Sequence, residues 1–185
     1  MLHTETVRGR VLDTDSAPER EPDANAGLER ALALAYRHMN ARERTRAEMR
    51  THLQRKGIDP RDVERSIEAL VEQGHLDDVR FARLLVQDKR ELDEWGADRI
   101  RRTLHARGVD REVVDGALAE HESDGDGEIE RALAVLRRRF PSPAGDRRER
   151  ERALGVLLRK GYDSDLALTA ISAHMRDGDE AYPPD

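Results

Sequence analysis

The chain has 185 residues, no cysteine and a formal net charge of −6, and 39% of its residues are charged. The lack of cysteine excludes a disulfide scaffold, thiolate zinc sites and a cysteine nucleophile. Apolar runs stay far below the roughly 20 residues of a membrane span, and the charged residues near the start are unlike a signal peptide. We therefore expect a soluble, cytoplasmic protein that does not associate with membranes.

Charge is segregated along the chain. The windows 42–56, 99–111 and 137–160 carry net charges of +4, +4 and +6, so the rest of the chain carries −20. Nearly all of the basic residues are arginine, whose planar guanidinium binds carboxylates and phosphates through two parallel hydrogen bonds. The basic windows are therefore candidates for contact with an acidic partner.

The two ends of the chain differ in composition from its centre. Residues 1–26 combine many acidic residues with Pro18 and Pro22 and offer few apolar side chains to bury. This composition is typical of disorder, and we predict a disordered acidic leader over residues 1–26. Residues 177–185, which contain Pro183 and Pro184, are predicted to form a loose C-terminal tail.

The central region is predicted to be helical throughout. Ala, Leu, Arg and Glu are abundant there, and Pro60 is the single proline between positions 24 and 140. Apolar residues at helical spacing predict amphipathic helices over residues 28–40, 79–93 and 128–140. No segment shows the alternation of apolar and polar residues that a half-buried strand needs.

Three helix starts can be recognised from local sequence. Thr45 and Glu48 form a capping box, in which each side chain accepts a hydrogen bond from the other residue's backbone N–H. Asp59 is followed by Pro60, a pairing typical of an N-cap and the first helical residue. Asp78 is expected to cap the helix that begins one residue later.

A seven-residue segment recurs three times, over residues 53–59, 104–110 and 157–163. In each copy a leucine ends one helix, a glycine is expected to adopt the left-handed conformation, and an aspartate caps the next helix. The glycines and aspartates are Gly57, Gly108, Gly161, Asp59, Asp110 and Asp163. A single copy is typical of any helical hinge, but three copies at similar spacing indicate an internal repeat.

This repeat predicts an all-α fold. We expect three tandem three-helix repeats over residues 27–77, 78–122 and 123–176. A unit of this size buries little apolar surface alone, so the three are expected to stack serially into an elongated array.

Enzymatic chemistry finds little support in the sequence. The seven histidines are scattered, and there is no Gly-rich phosphate loop or nucleophile elbow. The adjacent Asp77 and Asp78 are better explained by a helix start than by a metal site. We expect neither an enzyme nor a metal or cofactor site.

The basic windows coincide with the second helix of each repeat, whereas the third helices are acidic. An acidic third helix disfavours base reading in the helix-turn-helix manner, and six aromatic residues are too few for a base-stacking platform. A repeated basic ridge suits a phosphate backbone or an acidic protein surface, although a solvated helix face explains the charge pattern equally well. The predicted ridge residues are Arg46, Arg50, Arg55, Lys56, Arg99, Arg101, Arg102, Arg107, Arg148, Arg152, Arg159 and Lys160.

The single tryptophan, Trp95, precedes Gly96 at the start of the middle repeat's second helix. A lone tryptophan is more often a packing anchor than a ligand contact. We expect Trp95 to pack between repeats.

These patterns together resemble the RecX family of RecA regulators over residues 28–175. The most specific match is the stretch Leu76-Asp77-Asp78 with Phe81 and Ala82 after it. The capping box, the three hinges and the Trp95-Gly96 pair support the same resemblance. Further matching residues are Met49, Leu53, Lys56, Ile67, Leu70, Gly74, Val79, Ile100, Leu104, Val109, Leu157 and Tyr162, whereas His75 departs from the aromatic residue common at its position.

The resemblance implies a curved array of three three-helix units. It implies a protein that binds in the groove of the RecA–single-stranded-DNA filament and regulates RecA, usually by inhibition. The affected activities would be the ATPase, strand exchange and co-protease functions in recombination, DNA repair and the SOS response. We expect a monomer with weak binding to single- or double-stranded DNA. Two alternatives are a stand-alone nucleic-acid-binding protein and a helical adaptor for some other partner.

Overall fold

The computed structural model describes residues 25–123, 127–141 and 146–181. These ranges contain nine α-helices and no strand. The predicted all-α repeat fold is therefore confirmed over the described residues. The helices are α1 (Ala26–Met39), α2 (Arg46–Arg55), α3 (Pro60–Glu72), α4 (Asp78–Glu91), α5 (Ala97–Ala106), α6 (Arg111–Ser123), α7 (Glu128–Arg139), α8 (Arg147–Lys160) and α9 (Ser164–Ala181).

Each group of three helices encloses its own hydrophobic core. Helices α1–α3 form repeat 1 around Met49 and Leu53, α4–α6 form repeat 2 around Ile100, and α7–α9 form repeat 3 around Leu136 and Leu157. All five side chains are fully buried, and each such burial contributes about 1.5–3 kcal/mol to the free energy of unfolding. The cores are separate clusters, so the repeats are joined by other contacts.

The three predicted hinges share one hydrogen-bonding pattern. Gly57, Gly108 and Gly161 have φ angles of 71°, 76° and 90°, which confirms the left-handed conformation. The residue after each glycine donates its N–H to the leucine carbonyl five positions earlier, at 3.2, 3.1 and 3.1 Å. This is the Schellman motif, in which the chain turns back and buries the apolar residue after the glycine. The buried residues are Ile58, Val109 and Tyr162.

Most of the predicted helix caps are confirmed. Thr45 Oγ1 accepts the N–H of Glu48 at 3.1 Å, and the Glu48 carboxylate accepts the N–H of Thr45 at 3.3 Å. Asp59 caps α3 at 2.9 Å, and Asp163 accepts two N–H groups of α9, one of them at 2.8 Å. Asp110 precedes α6, and its carbonyl accepts the N–H of Val114 at 3.0 Å.

The prediction for Asp78 was wrong by one residue. Asp77 is the N-cap of α4 and accepts the N–H of Arg80 at 2.9 Å, so Asp78 is already helical. The Asp78 carboxylate instead accepts the N–H of Arg46, the first residue of α2, at 3.0 Å. Two adjacent aspartates are equally good caps by local sequence, and the contact between repeats decides between them.

The predicted tail is also partly corrected. Helix α9 continues to Ala181, so residues 177–181 are helical. The favourable backbone hydrogen bonds of an established helix extend it beyond its last apolar residues. Residues 182–185, and residues 1–24 of the predicted leader, lie outside the described residues.

Candidate interaction surface

The second helices of the three repeats meet end to end. A Cβ atom added at Gly108 would collide with the side chain of Ala47 in the first turn of α2. A Cβ at Gly161 would come within 2.6 Å of the Arg99 backbone nitrogen in the first turn of α5. Gly108 and Gly161 therefore allow close approach by the preceding repeat. A Cβ at Gly57, in the first repeat that the structure describes, would meet nothing within 4 Å.

Arg107 holds repeats 1 and 2 together. Its guanidinium donates to the Glu48 carboxylate at 3.0 and 2.8 Å and lies 4.2 Å from the centre of the Phe81 ring. Its carbonyl accepts the hydroxyl of fully buried Thr45 at 2.6 Å. Burial is the largest single influence on the pKa of Glu48 and raises it. The hydrogen bonds and charge of Arg107, with smaller effects of the Thr45 N–H and Arg42, together outweigh burial and hold that pKa below its usual value.

The junction of repeats 2 and 3 has the same form with different partners. The N–H groups of Gly96 and Asp98 donate to the carbonyls of Lys160 and Gly161 at 2.9 and 3.1 Å. Lys160 Nζ donates to the Glu94 carboxylate at 3.1 Å. Arg99 donates to the Arg159 carbonyl at 3.1 Å. Backbone and charged groups therefore close this junction together.

Tyr162 and Trp95 strengthen the second junction. The Tyr162 hydroxyl donates to the Glu94 carbonyl at 3.3 Å, and burial raises the pKa of this tyrosine to about 12. Trp95 packs against the core of repeat 2, and the Arg99 guanidinium lies 3.9 Å from its ring centre. Arg99 also contacts repeat 3. Trp95 therefore packs against the core of repeat 2 and, through Arg99, supports the junction with repeat 3.

Three of the predicted ridge residues thus have a structural role that sequence reasoning missed. Arg107, Lys160 and Arg99 all contact another repeat through hydrogen bonds. A signal was present, because a basic residue precedes the hinge glycine in all three copies. The pattern could not show that two of these residues meet a carboxylate of the preceding repeat.

Three other ridge residues pair within their own repeat. Arg50 forms a bidentate pair with Glu64 of α3 at 2.7 and 2.8 Å. The hydrogen bond raises the pKa of Arg50 and lowers that of Glu64. Arg101 bonds Asp98 at 2.8 Å, and Arg152 bonds Glu149 at 3.3 Å. Some of the N–H donors of these three guanidinium groups are therefore already bound to carboxylates of the same repeat.

The remaining six ridge residues are exposed, and their side chains form no ion pair with any residue that the structure describes. They are distributed over all three repeats, and we call them the exposed ridge. Its members are Arg46, Arg55, Lys56, Arg102, Arg148 and Arg159.

Three concave regions border the second helices. A groove of about 850 Å³ is lined by Arg148, Arg152 and Arg159 together with Phe140. A smaller hollow of about 200 Å³ lies at the junction of repeats 2 and 3 beside Arg139. A third, of about 390 Å³, lies at the junction of repeats 1 and 2. Arginine lines all three, which suits anionic ligands.

Two features are absent from the described ranges. No group of three or more His, Asp or Glu side chains there could hold a metal ion. None of the helices described there combines the length and the apolar character that crossing a membrane requires.

Fold and surface together define a class, an α-helical repeat protein with exposed cations on the second helix of every repeat. Comparison with known proteins gives the family. Family models described as the first, second and third three-helix domains of RecX match residues 31–70, 77–118 and 126–171. The chain belongs to the RecX family.

Individual relatives agree with this assignment. The chain is 39% identical over 163 residues to the regulatory protein RecX of Halorhodospira halophila, covering 87% of this chain and 98% of that one. It is 37% identical over 135 residues to that of Trichlorobacter lovleyi, covering 71% and 87%. The crystal structure of RecX from Lactobacillus salivarius superposes with a TM-score of 0.69 at 20% identity, covering 80% and 97%. That likeness supports the fold.

Proposed function

We propose that this protein is a non-catalytic regulator of RecA that binds in the groove of the RecA–single-stranded-DNA filament and inhibits it. Binding would modulate the ATPase, strand exchange and co-protease activities of the filament. The observation that carries the proposal is the exposed ridge. Its cations lie on α2, α5 and α8 or, for Lys56, directly after α2, and they have no ion-pair partner among the described residues.

The arrangement of these helices supports a polymeric partner. The first turn of α2 contacts the end of α5, and the first turn of α5 contacts the end of α8. Exposed cations therefore recur along a series of helices that abut, as the sites of a filament recur along its axis. Arginine at such positions can bind carboxylates of the protein or phosphates of the DNA.

A second candidate function is nucleic-acid binding without RecA. The arginine-lined groove of about 850 Å³ favours it. Such binding would weaken with salt in proportion to the number of phosphates contacted. The net charge of −6 opposes it, because the chain as a whole repels DNA.

Charge reversal of one exposed cation per repeat tests the proposal. The triple variant Arg55→Glu, Arg102→Glu, Arg159→Glu should lose RecA inhibition and keep its helix content. The matched control is Arg30→Glu, Arg111→Glu, Arg176→Glu, which makes the same charge change at exposed positions of first and third helices. Arg50 and Arg99 are left intact, since their reversal would break structural contacts.

The measurements are the RecA ATPase on single-stranded DNA and capture of the protein by RecA, with and without DNA and a non-hydrolysable nucleotide, at two salt concentrations. Loss of inhibition in the ridge triple alone supports the proposal. Equal inhibition by both triples contradicts the ridge assignment. DNA binding that is independent of RecA and falls steeply with salt supports the second candidate. Absence of both interactions points to an adaptor for another partner.

A further inference from the structure

Two histidines of repeat 1 are stacked face to face beside the first junction. The rings of His38 and His52 are 3.7 Å apart, and their planes differ by 6°. They line the hollow of about 390 Å³ where repeats 1 and 2 meet, and we call it the histidine pocket. Its charged and titratable lining comes from α1, α2, the loop between them and the end of α5. These residues are His38, Arg42, Arg44, Glu48, His52, Arg55, His105 and Arg107.

The histidine pocket carries an excess of positive charge. Four arginines and one glutamate line it, which leaves three positive charges uncompensated even with every histidine neutral. The single carboxylate, Glu48, already receives Arg42 at 3.2 Å and Arg107 at 2.8 Å. Arg44 donates to a neutral acceptor, the His38 carbonyl, at 3.4 Å. The pocket therefore has guanidinium donors for an anion, and its one carboxylate is already ion-paired.

Burial and the surrounding positive charges lower the pKa of both stacked imidazoles. Burial, His52 and Arg44 lower the pKa of His38. Burial, Lys56, Arg44 and Arg55 lower that of His52. Glu48 acts in the opposite direction on His38, more weakly than the lowering causes. Both rings are therefore neutral near pH 7 in the free protein, and an anion beside them would favour the protonated form.

We propose that the histidine pocket binds a phosphate group and that the His38–His52 pair takes up a proton as it does so. A phosphate presents several strong acceptors, which match the guanidinium of Arg44 and the exposed guanidinium of Arg55. The excess of arginine in the lining favours an anion over a neutral ligand. This site goes beyond the RecA proposal, because its ligand needs neither RecA nor a filament.

Proton uptake gives the site a defined pH dependence. A histidine whose pKa rises on binding strengthens the complex as pH falls, by at most tenfold per pH unit for each proton. We expect the dissociation constant to fall from pH 7.5 to pH 6.5, by up to about tenfold for one proton taken up. No change is expected above the pH at which both the free and the bound pocket are neutral.

Calorimetric titration of the full chain tests the proposal without RecA. The two probes are pyrophosphate and a short oligothymidylate, which separate a free phosphate ligand from the phosphodiester of a DNA backbone. Titration in two buffers of different ionisation enthalpy counts the protons taken up. Since pyrophosphate also titrates near neutral pH, the wild type is compared with His38→Gln, His52→Gln, and the difference isolates the proton bound by the protein.

Two variants separate the affinity for phosphate from the uptake of a proton. Arg44→Gln should weaken the binding of the phosphate probe at least tenfold. His38→Gln, His52→Gln should still bind at pH 7.5 and lose both the pH dependence and the protein's proton. Arg30→Gln on the exposed side of α1 is the control and should match the wild type. Far-ultraviolet circular dichroism verifies that each variant is folded.

Each outcome decides the inference. Saturable binding of either probe with these variant effects supports it, and the probe that binds identifies the source of the phosphate. No saturable binding of either probe overturns it. So does an unchanged affinity in Arg44→Gln, or a proton uptake that is the same in the wild type and in His38→Gln, His52→Gln. None of these results depends on RecA inhibition, which the charge-reversed triple tests separately.

Discussion

Arg107 shows how an arginine in a basic window can belong to a junction between repeats. Its side chain is charge-paired with Glu48, lies over an aromatic ring and reaches the Glu43 carbonyl at 3.1 Å. Each contact crosses from repeat 2 to repeat 1 or ties into the repeat 2 core. The residue type alone could not distinguish this role from surface binding, because arginine serves both.

Substitution of Glu48 by glutamine isolates the charge in this contact. Glutamine can still complete the capping box with Thr45. The expected loss of about 1–2 kcal/mol in the free energy of unfolding therefore comes from the ion pairs with Arg107 and with the more exposed Arg42. The pKa of Glu48 is lowered in the folded state, so its contribution is present above pH 4.5 and is lost as pH falls through the folded-state value. Urea unfolding at pH 7 and pH 3 measures it. Equal differences between variant and wild type at both pH values would contradict this account.

Asp78 is predicted to respond differently. Burial raises its pKa in spite of the hydrogen bond from Arg46, so the ionised form is disfavoured in the folded state. Asp78→Asn keeps an acceptor for that N–H and removes the buried charge, so it should match or exceed the wild-type stability at pH 7. Asp78→Ala loses the acceptor and should cost about 1 kcal/mol.

Thermal unfolding between pH 4 and pH 7 measures both variants. The advantage of Asp78→Asn over the wild type should grow as pH rises through the pKa of Asp78. If the asparagine and alanine variants were equally destabilised, the hydrogen bond to Arg46 would have no part in stability.

At the scale of the helix, the three hinges form a natural comparison. All three glycines have positive φ, so alanine costs about 1 kcal/mol at each. Alanine at Gly57 meets open space, whereas at Gly161 it collides with the first turn of α5. Gly161→Ala should therefore lose clearly more stability than Gly57→Ala, and Gly108→Ala should also exceed it because of Ala47.

Urea unfolding of the three single variants gives the ranking directly, with Gly57→Ala as the internal control for backbone strain. Equal losses at the three hinges would mean that the close approach of the preceding repeat is not constrained. A larger loss at Gly57 would contradict the assignment of its hinge as the open one.

Sequence patterns predict the helices and their caps well, and they predict the contacts between helices poorly. The helices, the capping box at Thr45 and the hinge glycines depend on residues within one or two turns, where spacing carries the information. The bond from Arg46 to Asp78 and the pair of Arg107 with Glu48 join residues 32 and 59 positions apart. No local rule specifies which helix ends come together, so half of the predicted ridge proved to be engaged internally.

Because the exposed ridge has members in all three repeats, we expect each repeat to contribute to RecA binding. Arg55, Arg102 and Arg159 lie one in each repeat and share no contact among the described residues. The single reversals to glutamate should therefore each weaken RecA inhibition, and their effects on the binding free energy should add in the triple variant. Inhibition constants of the three singles and the triple test this. A single reversal that reproduces the full loss would place the interaction in one repeat.

The junctions also align the dipoles of the three second helices. Carbonyl groups at the end of α8 receive amide groups at the start of α5, and the end of α5 meets the start of α2, so the opposite partial charges of these helix ends offset each other. What remains is a positive amide end at the start of α8, beside Glu149, and a negative carbonyl end at the close of α2, beside Arg55. A surface with a positive end and a negative end binds a polymer whose two directions differ better in one orientation than in the reverse.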